Sequence, residues 1–389
     1  MKKIVLFVLY SLLTTHYSLS QDSCGLRLSL LTCAPGTELY STFGHTAIRV
    51  TNGSTGLNEV YNYGTFEFDD DFYAKFVRGK LLYALSVESF TDFMAQYQYE
   101  SRSVIEQELN LACAQKEALY QRLRMNAQPQ NRRYRYDFLF DNCTTRARDM
   151  IDTGATATVS FKNILLPKPL TFREHITVYL RKAHQDWSKL GIDLLLGAKM
   201  DRPASNTEAM FLPDNLLTAF DNATADGGPL VSAKRSLLAM PSPATESYLF
   251  TPTVSFGLLL VLTTVLSVVK SRWAQRAVGV LDFILFFVTG LVGVLLLFMW
   301  FGTDHALCAN NWNLLWALPS NAVAAFGVHK RSGGWRRYFG IVFWLTVLLL
   351  AAWAFLPQQM NNGFLPLVLT IALRSGLLAK QKTDGRKIF

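Results

Sequence analysis

Charge is scarce in this chain, and acidic charge all but disappears from its last third. Asp, Glu, Lys and Arg make up 17% of the residues against 50% hydrophobic, too apolar a balance for an ordinary soluble enzyme. From Thr251 onward there are 12 Lys/Arg but only 3 Asp/Glu, so the net charge of +9 belongs to that hydrophobic part and the first 250 residues are neutral. Nucleic-acid binding asks for a basic face on a folded domain, so no nucleic-acid partner is expected. There is no glycine-rich phosphate loop and no internal repeat, which sets aside nucleotide-binding motifs and solenoids. Histidine is rare, and His305 stands apart from other ligand types, so neither a metal nor a cofactor is expected. Cysteine is sparse and odd in number, five in all, which leaves at least one thiol unpaired.

What the chain has in plenty is apolar sequence in long runs. Met1-Lys2-Lys3, the apolar run Ile4 to Leu13 and small or polar residues up to Ser20 read as a signal peptide over 1–20. An uncleaved anchor is the competing reading, and in both the next domain is exported. Gln21-Asp22-Ser23 is too polar a lead-in for Cys24 to be a lipidation site. Five apolar segments come later, at about 249–269, 277–301, 312–328, 338–356 and 364–379. A membrane span needs roughly 20 apolar residues. The first, second and fourth segments meet that directly. The third carries Pro319-Ser320-Asn321 and reads as broken or re-entrant; the fifth carries Arg374 near one end, where it can snorkel. Lys and Arg crowd the first and third connections and the tail, and are absent from 302–311 and 357–363. That alternation puts the basic loops and the C-terminus in the cytoplasm and the N-terminal domain outside, in a multi-pass inner-membrane protein.

Residues 21–220 suffice for one exported domain, with 221–248, rich in Ala, Gly, Ser and Pro, reading as a linker to the membrane domain 249–389. Gly44 to Val50, Glu59 to Tyr63, Val104 to Leu111 and Tyr134 to Phe140 alternate like strands. Phe68, Phe72 and Phe76 recur at helical spacing, Cys113 to Met125 reads as a helix, and Phe172 to Leu190 as an amphipathic one. This mixture indicates an α+β domain. Cys143 stands where a helix opens, with Arg146 and Arg148 close by, an electropositive setting that favours the thiolate. A thiolate nucleophile needs a base, and outside the leader the domain offers only His45, His175 and His184. His45 comes after a glycine at a strand start, where a side chain can face a cleft. A structural thiol or half a disulfide is the bland alternative for Cys143, and Cys33 can pair with Cys24 or with Cys113. Arg132, Arg133 and Arg135, interleaved with Tyr134 and Tyr136, form a basic aromatic patch that reads as a solvated strand face or as a contact for lipid head groups.

Gly44-His45-x-Ala47-Ile48-x-Val50 on an early strand and Asn142-Cys143-Thr144-Thr145 on a later helix resemble the circularly permuted papain-like arrangement of NlpC/P60 and lecithin-retinol acyltransferase proteins. There His precedes Cys, and a polar residue on the next strand orients the imidazole; Asn62 is best placed for that role. More closely, Leu30 to His45, Tyr61-Asn62-Tyr63-Gly64-Thr65-Phe66, Asp141 to Arg146, Phe211-Leu212-Pro213-Asp214, Asp304-His305 and Asn311 to Trp316 resemble the Bacteroidota-type lipoprotein N-acyltransferase family. The resemblance implies a permuted papain-like domain and, after it, an all-α bundle of about five transmembrane helices. It also implies acyl transfer from a membrane phospholipid, through a thioester on Cys143 with His45 as base, to the α-amine of a diacylglyceryl-cysteine lipoprotein. Among the matching strings, Tyr40, Ser41, Asn142, Arg146, His305 and Asn313 are expected to bind substrate. The competing functions are a membrane-tethered cysteine peptidase or amidase acting on cell-wall peptides, and a non-catalytic binding or scaffold protein.

Overall fold

The computed structural model describes residues 25–66, 71–165, 167–241, 249–330 and 332–381, with the side chains of Phe72, Tyr73 and Phe76 set aside. The expected signal peptide, Cys24, Phe68, the end of the expected linker and most of the basic tail lie outside the described residues.

The N-terminal domain is built on an antiparallel sheet ordered β10-β5-β1-β2-β3-β4-β6. Its strands are β1 (Leu26–Cys33), β2 (His45–Asn52), β3 (Leu57–Thr65), β4 (Leu82–Ser89), β5 (Val104–Leu109), β6 (Arg133–Arg135) and β10 (Val231–Leu238). A small second sheet joins β7 (Val159–Ser160), β8 (Thr224–Ala225) and β9 (Gly228–Pro229). The helices of this domain are α1 (Phe72–Val77), α2 (Phe90–Tyr99), α3 (Cys113–Asn126), α4 (Cys143–Gly154), α5 (Phe172–Lys182), α6 (Asp186–Leu195), α7 (Asn206–Ala209) and α8 (Pro213–Asp221).

Strand alternation divides the core. Leu28, Leu30, Ile48, Val50, Tyr61 and Tyr63 face α3, α4 and α8, packing on Leu119, Leu123, Ala147, Ile151 and Phe220. Their sequence neighbours Leu31, Ala47 and Val60 turn to the other face and meet Phe93 and Tyr97 of α2. The sheet is thus covered on both sides, which is why β1 is buried almost throughout rather than alternating with solvent.

Two expectations change here. Residues 221–248 were expected to be a linker, yet β8, β9 and β10 fall within them, and β10 pairs along β5 as a sheet edge. An edge strand with half of its residues exposed and none buried needs little apolar alternation, so its pattern resembles a loop. Its Lys234 and Arg235 instead pair with Asp221 and Glu108. The expected helix from Phe172 to Leu190 is two helices, α5 and α6, parted at His184 with φ +50°. A third correction concerns the thiols. Cys33 is free and fully buried, so it forms no bridge with Cys113; burial pushes its thiol up to about 12.

The C-terminal part comprises α9 (Pro252–Val268), α10 (Arg272–Phe301), α11 (Asn321–Ala324), α12 (Gly333–Ala352) and α13 (Leu365–Lys380). Among the described residues three helical stretches are long and apolar enough to cross a membrane: Arg272–Phe301, Gly333–Phe355 and Asn362–Lys380. The helix α9, at 17 residues, is shorter. The segment 312–328 forms no continuous helix: turns at Trp312–Leu315 and Ala325–Gly327 flank α11, with Pro319 between. It lies against α10 so closely that a Cβ on Gly290 would sit 2.0 Å from the Ala322 nitrogen, and one on Gly293 2.0 Å from the Ala317 oxygen. Small residues permit this backbone contact. Arg374 does not snorkel. It is buried and forms a two-pronged ion pair with Asp282, at 2.6 and 2.7 Å, and a further bond to Ser267.

Candidate functional site

Cys143 is the first residue of α4, and the chain reaches it through an extended cap. The Asn142 side-chain oxygen accepts from the Thr144 and Thr145 backbone N–H groups at 2.8 and 2.9 Å. Its amide nitrogen donates to the Phe138 and Phe211 carbonyls at 2.8 and 3.0 Å, and the Thr145 hydroxyl accepts from the Asn142 N–H at 2.9 Å. The first-turn donors of a helix otherwise lack partners, so this network satisfies those of Thr144 and Thr145 and fixes where the thiol sits. A hydroxyl contact between Thr46 on β2 and Thr144, at 3.1 Å, pins the start of α4 to the sheet.

His45 opens β2 opposite Cys33 of β1, and its imidazole stands beside the Cys143 thiol. Its Nε2 lies 2.6 Å from Oδ1 of Asn62 on β3. The Asn62 amide in turn donates to Oε1 of Glu88 on β4 at 2.9 Å. The line Cys143–His45–Asn62–Glu88 therefore crosses three adjacent strands. Gly64 keeps the cleft open between the two reactive groups. A Cβ there would stand 3.6 Å from the Cys143 Cβ and 4.0 Å from the His45 Cε1, and its φ of +93° suits glycine alone.

The electrostatics favour a charged pair. Burial pushes the Cys143 thiol up, but the adjacent His45 charge, the hydrogen bond with His45, the Thr46 backbone N–H and the Thr144 hydroxyl together bring it down to about 7. For His45, burial lowers the affinity for a proton, while the Cys143 charge and the bonds to Cys143 and Asn62 raise it above the ordinary value. Both residues are half-buried, so the pair is sheltered yet reachable.

The remaining expected substrate contacts scatter. Asn142 has both side-chain polar atoms engaged, in the helix cap and with the Phe138 and Phe211 carbonyls. Asn313 is buried, its amide nitrogen donates to the Asp193 and Leu194 carbonyls, and its oxygen accepts from the Trp316 indole. Ser41 is buried and donates to the Glu38 carbonyl. Arg146 holds Asp141 through two bonds of 2.6 and 2.8 Å and stacks 3.6 Å over Tyr134. Tyr40 is 78% exposed. His305 lies beside Gly79, in a loop whose Asp304 N–H donates to the Arg78 carbonyl. The arrangement thus gathers Cys143, His45 and Asn62, and spreads the other six around them. Glu88 and the Thr46–Thr144 contact had no mark in the sequence, because only strand pairing brings them in. Gly64, within the Tyr61-Asn62-Tyr63-Gly64 string, lies inside β3, and only the fold shows that it faces Cys143.

The domain sits on the bundle through a polar seam. Asn311 donates to the Leu194 and Leu195 carbonyls at 2.8 and 3.0 Å, so residues of the loop after α10 cap the C-terminus of α6. Buried Arg173 bridges Asp193 and Asp201. A cavity of about 560 Å³ opens at this seam, bordered by Arg181, Asp186, Lys189, Thr251 and Asn362, and it includes neither Cys143 nor His45.

A sheet-and-helix domain that sets a thiol against an imidazole, carried on apolar helices, defines a membrane-anchored protein of the thiol–imidazole class. Residues 15–177 match the family model described as the Lnb N-terminal periplasmic domain, and residues 244–384 match the Lnb transmembrane domain. The chain belongs to the Bacteroidota-type lipoprotein N-acyltransferase (Lnb) family, which makes it a lipoprotein-modifying enzyme of the inner membrane with its N-terminal domain in the periplasm. No curated protein and no solved structure matches the chain.

Proposed function

We propose that this protein transfers an acyl chain from a membrane phospholipid to the α-amine of a diacylglyceryl-cysteine lipoprotein, using Cys143 as nucleophile. The observation that carries this reading is the His45 imidazole held between the Cys143 thiol and the Asn62 amide. His45 takes the thiol proton, and the Cys143 sulfur attacks the ester carbonyl carbon. The ester C–O bond breaks, the departing glycerol oxygen takes the proton from His45, and a lysophospholipid leaves behind a Cys143 thioester. The lipoprotein α-amine then attacks the thioester carbonyl and gives up a proton to His45, and the C–S bond breaks to return the thiolate and form the amide. The Asn142 oxygen occupies the N–H groups of Thr144 and Thr145. Among the first donors of α4 this leaves the Cys143 backbone N–H as the candidate to stabilise the oxyanion.

Supporting this reading, His precedes Cys in the chain and the Cys helix packs on an antiparallel sheet, the order of the permuted papain-like arrangement. The basic connections further support five crossings with a cytoplasmic C-terminus, α9 and the broken 312–328 segment counting among them. Both substrates are held in the outer leaflet, on the side of the periplasmic domain. The decisive measurement incubates purified protein with phospholipid and a diacylated lipopeptide. A mass increase of one acyl group on Cys143, lost with Cys143→Ala, and an N-acylated lipopeptide are expected. Normal N-acylation by Cys143→Ala would overturn the reading, and release of free fatty acid without lipopeptide would place the protein among hydrolases.

A further inference from the structure

We propose that Glu88 is a positioning residue that sets the tautomer of His45 by fixing the orientation of the Asn62 amide. This rests on the proposed roles of Cys143 and His45 and extends them by one residue. An asparagine side chain is an acceptor at one end and a donor at the other, and the two ends are nearly isosteric. Which end meets the imidazole decides which ring nitrogen carries the proton. In this site the outer partner of Asn62 is a carboxylate, Oε1 of Glu88, at 2.9 Å. A carboxylate only accepts, so it takes the amide N–H and turns Oδ1 of Asn62 toward His45, 2.6 Å from Nε2. Nε2 must then carry a hydrogen, and the neutral ring has its lone pair on Nδ1. With Nε2 occupied by Asn62, Nδ1 is the nitrogen left for the Cys143 thiol.

The reverse orientation would be destructive. With the amide N–H facing Nε2, the ring would have to accept there and hold its proton on Nδ1, so that Cys143 would meet a donor instead of a base. An imidazolium would meet a donor as well, and the ion pair would lose support. The fold makes the first orientation the only satisfied one. β3 and β4 are paired with Asn62 opposite Ser86 and Val60 opposite Glu88, so Glu88 stands diagonally across from Asn62 and within reach of its amide. Glu88 hydrogen-bonds Asn62 and acts through it alone.

The test uses full-length protein in detergent and measures alkylation of Cys143 by iodoacetamide as a function of pH, a readout independent of acyl transfer. Glu88→Ala is expected to move the midpoint up from about 7 toward the ordinary thiol value of 9.0. It should also slow thioester formation roughly tenfold, a part of the hundredfold or more that a positioned base contributes. Glu88→Gln, which can still present a carbonyl oxygen, should shift the midpoint less and in the same direction. In an Asn62→Asp background there is no amide to turn, so adding Glu88→Ala should move the midpoint no further. A midpoint unchanged in both Glu88 variants would overturn the proposal, as would an equal shift with and without Asn62→Asp. A Glu88 variant that fails to accumulate is replaced by Glu88→Gln compared with and without Asn62→Asp. Because alkylation reports the thiolate and not the reaction, a Cys143 that alkylates as expected but forms no acyl adduct would refute the functional reading while leaving the role of Glu88 standing.

Discussion

Reactivity at Cys143 is a contest between burial, which favours the neutral thiol, and the imidazole beside it, which favours the thiolate. The imidazole prevails, with the thiol brought to about 7. The Cys143 proton is held less tightly than in an ordinary thiol, and the His45 proton more tightly than in an ordinary imidazole. The thiolate–imidazolium form therefore fills in as pH rises through about 7 and declines as pH passes the raised His45 value. Thioester formation should fall on the acid side of pH 7 in rapid-mixing assays, and Cys143 alkylation should fall with it. Removing the imidazole leaves burial opposed only by the Thr46 backbone N–H and the Thr144 hydroxyl, so His45→Ala should carry the Cys143 midpoint well above 7, measured by the same alkylation titration. Gly64 supplies a geometric counterpart. Gly64→Ala places a methyl group in the cleft at a φ of +93° and should cost about 1–2 kcal/mol in thermal unfolding while lowering the acylation rate.

The elements of the exported domain divide by how much their own residues reveal. The strand from Gly44 and the helix from Cys143 were legible, because alternation and a polar cap are local signals. The pairing of Cys143 with His45 and of His45 with Asn62 was legible through motif resemblance. What stayed hidden depends on partners distant in sequence. β10 is held by β5, Glu88 reaches Asn62 through strand register, and Asn311 and Asn313 cap a helix more than a hundred residues earlier. Such asparagines resemble ligand-binding residues in a sequence, since a fully used amide and a free one are written alike. The distinction is measurable. Asn142→Ala removes the cap oxygen and leaves buried donors unpaired, so it should destabilise the domain by about 1–3 kcal/mol in denaturant unfolding. A loss of activity confined to substrate affinity, with unchanged stability, would instead mark Asn142 as a binding residue.

At the scale of the molecule, periplasmic and membrane parts share a core. Leu190, Leu194 and Leu195 of α6 pack with Trp316, Met360 and Phe364 from the bundle, and the Arg173–Asp193–Asn361 connection runs alongside. The thiol domain is thereby braced by the helices rather than merely tethered to them. Within the bundle the corresponding brace is Asp282 on α10 with Arg374 on α13 and Ser267 on α9. Both charged groups are almost fully buried, where an unpaired charge is costly but a matched pair can be replaced by a neutral pair with little loss. Arg374→Gln alone should therefore lower stability by about 3–5 kcal/mol in detergent melting, because Asp282 is left without its two-pronged partner. Asp282→Asn with Arg374→Gln should recover much of that loss, since two amides can hydrogen-bond where one carboxylate was stranded. A double variant no more stable than the Arg374→Gln single would mean that the charges themselves, and not their mutual satisfaction, hold α9, α10 and α13 together.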